Sequence, residues 1–556
     1  MKKLFSWSLI FLLTCVPLLA QKSVESGYHV SFEVTPQKLG TKKLNGAYHA
    51  IGGFDLNNNG KGEFIFITDP SLSGGPGVNR TDGYTVYYME STGNDNYEVR
   101  WSFITDSNRT QRSYPYLALA DIDKDGRPEL FVSVPLEATA ADPNPVRLFI
   151  FEWDPVLKNF PTTPSATWNY GVRNNFLYLP TTIEVNDVDG DGDRELITAS
   201  RRDDFGGLQS GRTLIASNIG SSDIGGLVVF EREFMDSSAV LKGGAVYDMK
   251  VVDFDGDGKK EIWVFTWDMY SLAIYEATGP NTYTLQADIN RAKDPDDIGS
   301  RHSMQFVDVN KDGKLEMYSF GTSGDGEPRT AIYYIGSIND VSKLTKDSVK
   351  TLGGDFTNLE SSTTGDPDGD GKMDFIFTTG TAERQVYHLE YKGTGALNNI
   401  ASYDLRVLYK DSTTLGDYRV PVIVNDMDGD RKQEILITNL DVADSTKPLV
   451  VVLESDIATS VDRVAEAVPT SFRLSQNYPN PFNPSTFIEF SVPKTEIVTI
   501  KVYDVLGREL ETLLSELYEP GTYKIKFKPK DFSSGVYLYT IKAGGFFDAK
   551  KMTLLK

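Results

Sequence analysis

Seven acidic loops of the form D-x-[DN]-x-[DN]-G-x-x-[DE], one of them lacking the glycine, recur along this chain. Their first carboxylates are Asp55, Asp121, Asp187, Asp253, Asp308, Asp366 and Asp426, separated by 66, 66, 66, 55, 58 and 60 residues. A period of this length marks a repeat architecture. Each unit is one supersecondary element that buries its apolar face only by packing against its neighbours.

The flanks of the loops set the element type. Tyr116 to Ala120 precedes the second loop and Glu129 to Val134 follows it; Met249 to Val252 and Glu261 to Thr266 flank the fourth. Runs rich in β-branched and aromatic residues, bounded by Gly and Asp, read as strands. A third run follows in most units (Val146 to Phe151, Leu227 to Phe230, Ala331 to Tyr334, Gln385 to His388), and a weaker fourth precedes the next loop. Four strands repeated seven times predict an all-β fold, a seven-bladed β-propeller over residues 21–455, with each loop closing the hairpin between the first two strands of a blade. After Glu434 only two convincing runs remain, Glu434 to Thr438 and Leu449 to Leu453. The unassigned run His29 to Val34 is therefore expected to complete the seventh blade as its outer strand, which avoids an open edge.

The loops are oxygen cages. In the second, Asp121, Asp123 and Asp125 alternate, Gly126 permits a tight curl, Arg127 offers its carbonyl and Glu129 closes the set. Several carboxylates with no His or Cys suit Ca²⁺, which takes ~6–8 oxygens, and argue against zinc. Mg²⁺ fits less well because it retains several waters. The same reading gives Asp187, Asp189, Asp191, Asp193 and Glu195; Asp253, Asp255, Asp257, Lys259 and Glu261; Asp308, Asn310, Asp312, Lys314 and Glu316; and Asp366, Asp368, Asp370, Lys372 and Asp374. Two loops depart from it. Asp55, Asn57, Asn59, Lys61 and Glu63 keep only two acids, so the first site is expected to be the weakest. In Asp426, Asp428, Asp430, Lys432 and Glu434 the glycine is replaced by Arg431, which is expected to be strained if the backbone keeps positive φ. An EF-hand is excluded: position 12 is Val132 in the second loop and Thr198 in the third, and the flanks are not helical.

Residues 1–20 have the make-up of a secretory signal peptide: Lys2 and Lys3, then an apolar stretch from Leu4 to Val16, then Pro17 to Ala20. That stretch is short for a membrane span, and no other is long enough, so no transmembrane segment is expected. Cys15, the one cysteine, lies within it, so disulfides would contribute nothing to the processed chain. From Pro469 to Lys556 there are 12 Lys and Arg against 9 Asp and Glu, whereas the whole chain carries −22. The acidity therefore lies in the repeats. Their loops hold 25 acidic ligands, and seven bound Ca²⁺ would neutralise more than half of the net charge. What remains is negative, which excludes a nucleic-acid partner. The C-terminal stretch alternates cleanly in Val498 to Tyr503 and Tyr523 to Lys528, and predicts a small immunoglobulin-like β-sandwich over 471–556, with 456–470 as linker.

The period near 60 residues, the seven copies and the D-x-D-x-D-G loop resemble the FG-GAP/VCBS repeats of integrin α-like propellers over roughly residues 28–455. That resemblance implies a seven-bladed propeller with structural Ca²⁺, up to seven ions, and a role in adhesion or ligand recognition. Leu474 to Thr486, Val502 to Arg508, Ser534 to Tyr539 and Lys550 to Lys556 resemble the type A C-terminal sorting domain of type IX secretion. This implies a Bacteroidota-type cell, the type IX secretion machinery as partner, and delivery to the outer surface or the medium.

Catalytic constellations are thin. His29, His49, His302 and His388 are scattered, and no G-x-S-x-G, H-E-x-x-H or phosphate loop occurs. The expectation is a secreted or surface calcium-binding propeller that recognises an extracellular glycan or protein. Its rivals are a propeller-based polysaccharide lyase or hydrolase and a structural surface-layer component. An enzyme would need groups converging from several blades. Ligand contacts are expected on loops between third and fourth strands, including Asn159-Phe160 to Tyr170.

Overall fold

The computed structural model describes residues 22–555 apart from 42–45, 70–82, 106–113, 201–212, 219–229, 236–245, 267–270, 291–298, 324–331, 412–417, 441–444, 457–460, 465–468 and single or few residues elsewhere. The expected signal peptide, with Cys15, lies outside the described residues.

Seven of the antiparallel sheets among the described residues are built on one plan. Sheet 2 is typical: Tyr116–Ala120, Glu129–Ser133, Leu148–Glu152 and Ala166–Trp168 pair in chain order. The first strands of sheets 1 to 7 are Gly46–Phe54, Tyr116–Ala120, Pro180–Asn186, Val246–Val252, Gly299–Val307, Leu359–Gly365 and Tyr418–Val424. Each touches the first strand of the next sheet, and the last touches the first, so they close a circuit around an axis. This is propeller topology.

The packing follows from the sequence of the second strands. Glu129–Ser133, Asp374–Thr379 and Glu434–Asn439 are buried at every residue, because a sheet lies against each face. Continuous runs such as Leu-Phe-Val and Phe-Ile-Phe therefore replace the alternation of a one-sided sheet. Every neighbouring pair of sheets shares an apolar cluster. Ile65, Val132, Phe151 and Trp153 join sheets 1 and 2, and Phe66, Met89, Leu436 and Val452 join sheets 7 and 1. At ~1.5–3 kcal/mol for each large side chain buried, these interfaces are the main adhesive of the ring.

Tyr28–Val34 pairs with Val450–Ser455 as the outer strand of sheet 7, as the residues predict. The N-terminus does more than that. Lys22–Val24 adds a fifth strand to sheet 6 by pairing with Tyr403–Asp411. One short segment thus clasps two sheets.

The C-terminal region is a sandwich of two four-stranded sheets around a core that includes Phe490, Ile500, Tyr523, Tyr539 and Ile541. Part of the expected linker belongs to it: Val461–Val464 pairs with Gly521–Phe527. The four residues Val-Asp-Arg-Val are too short for their pattern to announce a strand.

Candidate metal centres

All seven acidic loops sit where the strand pattern puts them, between the last residue of a first strand and the first residue of a second. A common set of bonds curls each one. The amide of the seventh residue donates to the side-chain oxygen of the fifth: Lys61 to Asn59 at 2.8 Å, Arg127 to Asp125 at 2.7 Å, Asp193 to Asp191 at 2.8 Å, Lys259 to Asp257 at 2.8 Å, Lys314 to Asp312 at 3.0 Å, Lys372 to Asp370 at 2.8 Å and Lys432 to Asp430 at 2.9 Å. The sixth amide donates to the first carboxylate, as from Gly60 to Asp55 at 2.8 Å, Gly371 to Asp366 at 2.8 Å and Arg431 to Asp426 at 2.8 Å. That curl requires positive φ at the sixth residue. Gly126 has φ +89° and Arg431, with a full side chain, φ +77°.

The curl gathers the acids. One oxygen from each of Asp253, Asp255, Asp257 and Glu261 lies within 4.8 Å of the others, as do those of Asp121, Asp123 and Glu129 and those of Asp187, Asp189 and Glu195. The closing residue is the deepest. Glu63, Glu129, Glu261, Asp374 and Glu434 have no exposed surface, and Glu195 and Glu316 almost none. One oxygen of each closing glutamate accepts the amide of the loop's second residue, at 2.7–3.2 Å from Leu56, Ile122, Val188, Phe254, Val309 and Met427. The other oxygen of Glu129, Glu261 and Glu434 is buried without a hydrogen-bond donor. Burial is the first cause, with the neighbouring aspartates adding to it, of raised carboxyl pKa values: about 9 at Glu63, Glu129 and Glu261, about 8 at Glu195 and Glu316, and well above the usual range at Glu434. A buried, donorless carboxylate oxygen among further carboxylates suits a hard cation.

Sequence reasoning missed a second layer. A third-strand glutamate stands directly across from the closing acid in five sheets: Glu90 from Glu63, Glu152 from Glu129, Glu276 from Glu261, Glu390 from Asp374 and Glu454 from Glu434. Like charges so placed repel. The seventh loop residue relieves part of this with its side chain. Lys259 reaches Glu276 at 2.6 Å, Lys432 reaches Glu454 at 2.5 Å, and Arg127 and Lys372 pair with Glu152 and Glu390. The signal was present in the sequence, since apolar third runs end in Glu at Met89-Glu90, Phe151-Glu152, Tyr275-Glu276, Leu389-Glu390 and Leu453-Glu454.

The loops also bond to one another around the ring. Lys260 reaches the carbonyl of Asp187 at 3.0 Å, Arg194 that of Asp121, and the Gly62 amide that of Met427 at 2.6 Å. Aspartates at the third position accept amides from the following sheet: Asp189 from Asn281 at 2.6 Å, Asp255 from Val341 at 2.9 Å and Asp428 from Asp95 at 2.8 Å.

Two loops are built differently. In the first, Asn57 donates to Glu63 at 2.8 Å and to Glu90 at 2.6 Å, and Asn59 to Glu90 at 2.6 Å. Amide hydrogens thus point where the other loops leave carboxylate oxygens bare. In the sixth, the second residue is Pro367, which has no N–H to give. The closing acid is the shorter Asp374, and the buried His388 supplies its partner, Nε2 to Oδ1 at 2.9 Å. The other His388 nitrogen meets Glu25 at 2.9 Å, which ties the N-terminal segment to this sheet.

The first strands bring further polar groups together. The Lys250 ammonium lies 3.4 Å from Glu184 and 3.8 Å from Asp248. Asp248 accepts amides of Met249 and Met304 at 2.9 and 2.6 Å. The His49 ring lies against Tyr116, centroids 4.0 Å apart and tilted by 38°, and burial lowers its pKa to about 3. Groups from several sheets therefore converge, with Lys250 offsetting part of the charge of its two carboxylates. The expected recognition segment does not hold as exposed aromatic surface. Phe160 is buried against Tyr88, Trp101 and Trp153, and Trp168 packs on Phe230 at 4.8 Å. Apolar rings gain more from the interface between sheets than from display; Tyr170 lies outside the described residues.

No curated protein matches the sequence. Among solved structures, the chain is similar to a fungal alcohol oxidase in complex with copper (10% identity over 79% of this chain and 96% of that one, TM-score 0.33). It is also similar to an exo-inulinase from Aspergillus awamori (11%, 94% and 92%, TM-score 0.29) and to a protein of unknown function from Bacteroides thetaiotaomicron (8%, 78% and 98%, TM-score 0.31). Overlaps this loose carry no functional weight. The family models are specific: an FG-GAP-like repeat matches residues 253–319, and a secretion system C-terminal sorting domain matches 476–554. No helix among the described residues is long and apolar enough to cross a membrane. The chain thus carries an FG-GAP-like repeat at residues 253–319 and, at 476–554, a secretion-system sorting domain that indicates export to the cell surface or the medium.

Proposed function

We propose that this protein is an exported recognition module whose propeller is braced by Ca²⁺. The observation that carries the reading is the buried, donorless oxygen on Glu129, Glu261 and Glu434, each set among the aspartates of its loop. Asp121, Asp123, Asp125 and Glu129, and their counterparts in the loops that begin at Asp187, Asp253, Asp308, Asp366 and Asp426, would hold the ions. The carbonyls of the seventh residues would complete each set. Bound Ca²⁺ supplies the positive charge that the facing glutamates lack. Because the loops bond to their neighbours, ordering them would stiffen the whole ring. Such bracing suits a processed chain that holds no cysteine.

With the metal-loop acids committed to ions and Lys250 held between Glu184 and Asp248, recognition is a better reading than catalysis. The partner would be an extracellular glycan or protein, met on the loops of a propeller face. A binding screen over glycans and matrix proteins, run with calcium and with a chelator, tests this. Saturable calcium-dependent binding without turnover is the expected result. Release of products from a polysaccharide would point instead to a hydrolase or lyase centred on His49, Tyr116 and Asp248. Neither binding nor turnover would leave a structural surface role.

A further inference from the structure

We propose that the seam between the last and the first sheet carries a separate site for a borderline divalent cation such as Zn²⁺, formed by His29, Asp95 and Glu454. The three residues come from distant parts of the chain. His29 lies on the N-terminal strand Tyr28–Val34, Glu454 on the strand Val450–Ser455 beside it, and Asp95 in the turn between Thr85–Gly93 and Asn96–Ile104 of sheet 1. One donor atom from each lies within 4.8 Å of the other two.

Two of the donors are bare. The Glu454 side chain has no exposed surface, and its Oε2 has no hydrogen-bond donor. Its Oε1 is taken by Lys432 at 2.5 Å, and Lys432 also reaches Asp430 at 2.8 Å, on the side of the seventh acidic loop. The Oδ1 of Asp95 is likewise buried without a donor. An unpaired buried carboxylate oxygen is costly, and a cation bound by both residues would offset that cost.

The imidazole is oriented for ligation. His29 Nδ1 is 2.8 Å from Asp456 Oδ1. An ionised carboxylate only accepts, so a hydrogen sits on Nδ1, and in the neutral ring Nε2 is the nitrogen free to ligate. Nε2 lies 3.5 Å from Glu454 Oε1. A carboxylate fixing one histidine nitrogen while the other meets a metal is the usual outer shell of a histidine–metal bond. One nitrogen and two carboxylates form an N/O set that suits Zn²⁺ and its neighbours rather than Ca²⁺, which separates this site from the all-oxygen loops. His29 is 41% exposed on its side chain, so an ion can enter from solvent.

The position gives the site a purpose. Sheet 7 is completed by a strand from the other end of the sequence, held there by strand pairing and side-chain contacts alone. An ion shared by His29, Glu454 and Asp95 would cross-link the closing strand, its partner strand and the first sheet.

The test uses the chain from Gln21 onward, saturated with millimolar Ca²⁺ and titrated with Zn²⁺ by calorimetry; Co²⁺ gives an optical check on nitrogen ligation. The expected result is one Zn²⁺ per chain beyond the calcium and a rise in melting temperature. His29→Ala and Asp95→Asn should each weaken Zn²⁺ binding at least tenfold, and His302→Ala should not. The calcium-dependent rise in melting temperature, kept in both variants, reports that they fold. No Zn²⁺ binding by the calcium-saturated chain would overturn the site. Binding that both variants retain would overturn it too. Neither result bears on the calcium reading, which is measured separately.

Discussion

Glu261 and Glu276 stand directly opposite each other on paired strands, both buried, and Lys259 offers a charge of the other sign to Glu276. Glu261 keeps one oxygen without a donor. A pair arranged this way repels unless a proton or another cation joins it.

The substitution Glu261→Gln should therefore have opposite effects in two conditions. In chelator it removes a carboxyl that must take up a proton to stay buried, and should stabilise the chain by about 1 kcal/mol. In calcium it removes a ligand charge and should weaken that site tenfold or more. Melting curves of the variant and the parent, with and without Ca²⁺, should change their order between the two conditions. The same order in both would contradict the account.

Acidity should act through the same carboxyls. Their ordinary pKa of 4.5 is raised to about 8 at Glu195 and Glu316 and to about 9 at Glu63, Glu129 and Glu261. Between those limits the metal-free native state holds more protons than the unfolded chain, so its stability falls as pH rises. Calcium binding must expel those protons, so added Ca²⁺ should stabilise more at pH 8 than at pH 5. Thermal melts across that range in chelator and in calcium measure both trends. Calorimetry at neutral pH in buffers of differing ionisation enthalpy should register proton release.

The first loop should be convertible. Asn57 and Asn59 point amide hydrogens at Glu63 and Glu90. Replacing both with aspartate, Asn57→Asp and Asn59→Asp, restores the ligand charge of the other loops. The double variant should bind one more Ca²⁺ than the parent in equilibrium dialysis and should be less stable than the parent in chelator.

Much of this was legible in the residues. The loop positions follow from the acidic motif, the sheet plan from the runs around it, and the outer strand Tyr28–Val34 from a count of strands. What escaped were relations across strands. Nothing local to Glu276 says that it will face Glu261, because register is set by the intervening turn and by packing. The exchange of a backbone donor for His388 couples Pro367, Asp374 and His388, which are adjacent only once the sheet has formed. Phe160 was misjudged because aromatic character serves a buried interface and an exposed binding surface equally.

Arg431 holds φ +77° in a curl that glycine makes elsewhere. Arg431→Gly should relieve strain of about 1–2 kcal/mol, partly offset by the greater freedom of glycine in the unfolded chain. A net gain of about 1 kcal/mol, read from denaturant unfolding in calcium, is expected.

Calcium titration of the chelator-stripped chain from Gln21, followed by calorimetry and melting temperature, tests the central claim most directly. The account predicts about six bound ions, with the first loop left out, and a large calcium-dependent rise in melting temperature. Absence of both binding and stabilisation by millimolar Ca²⁺ would contradict it.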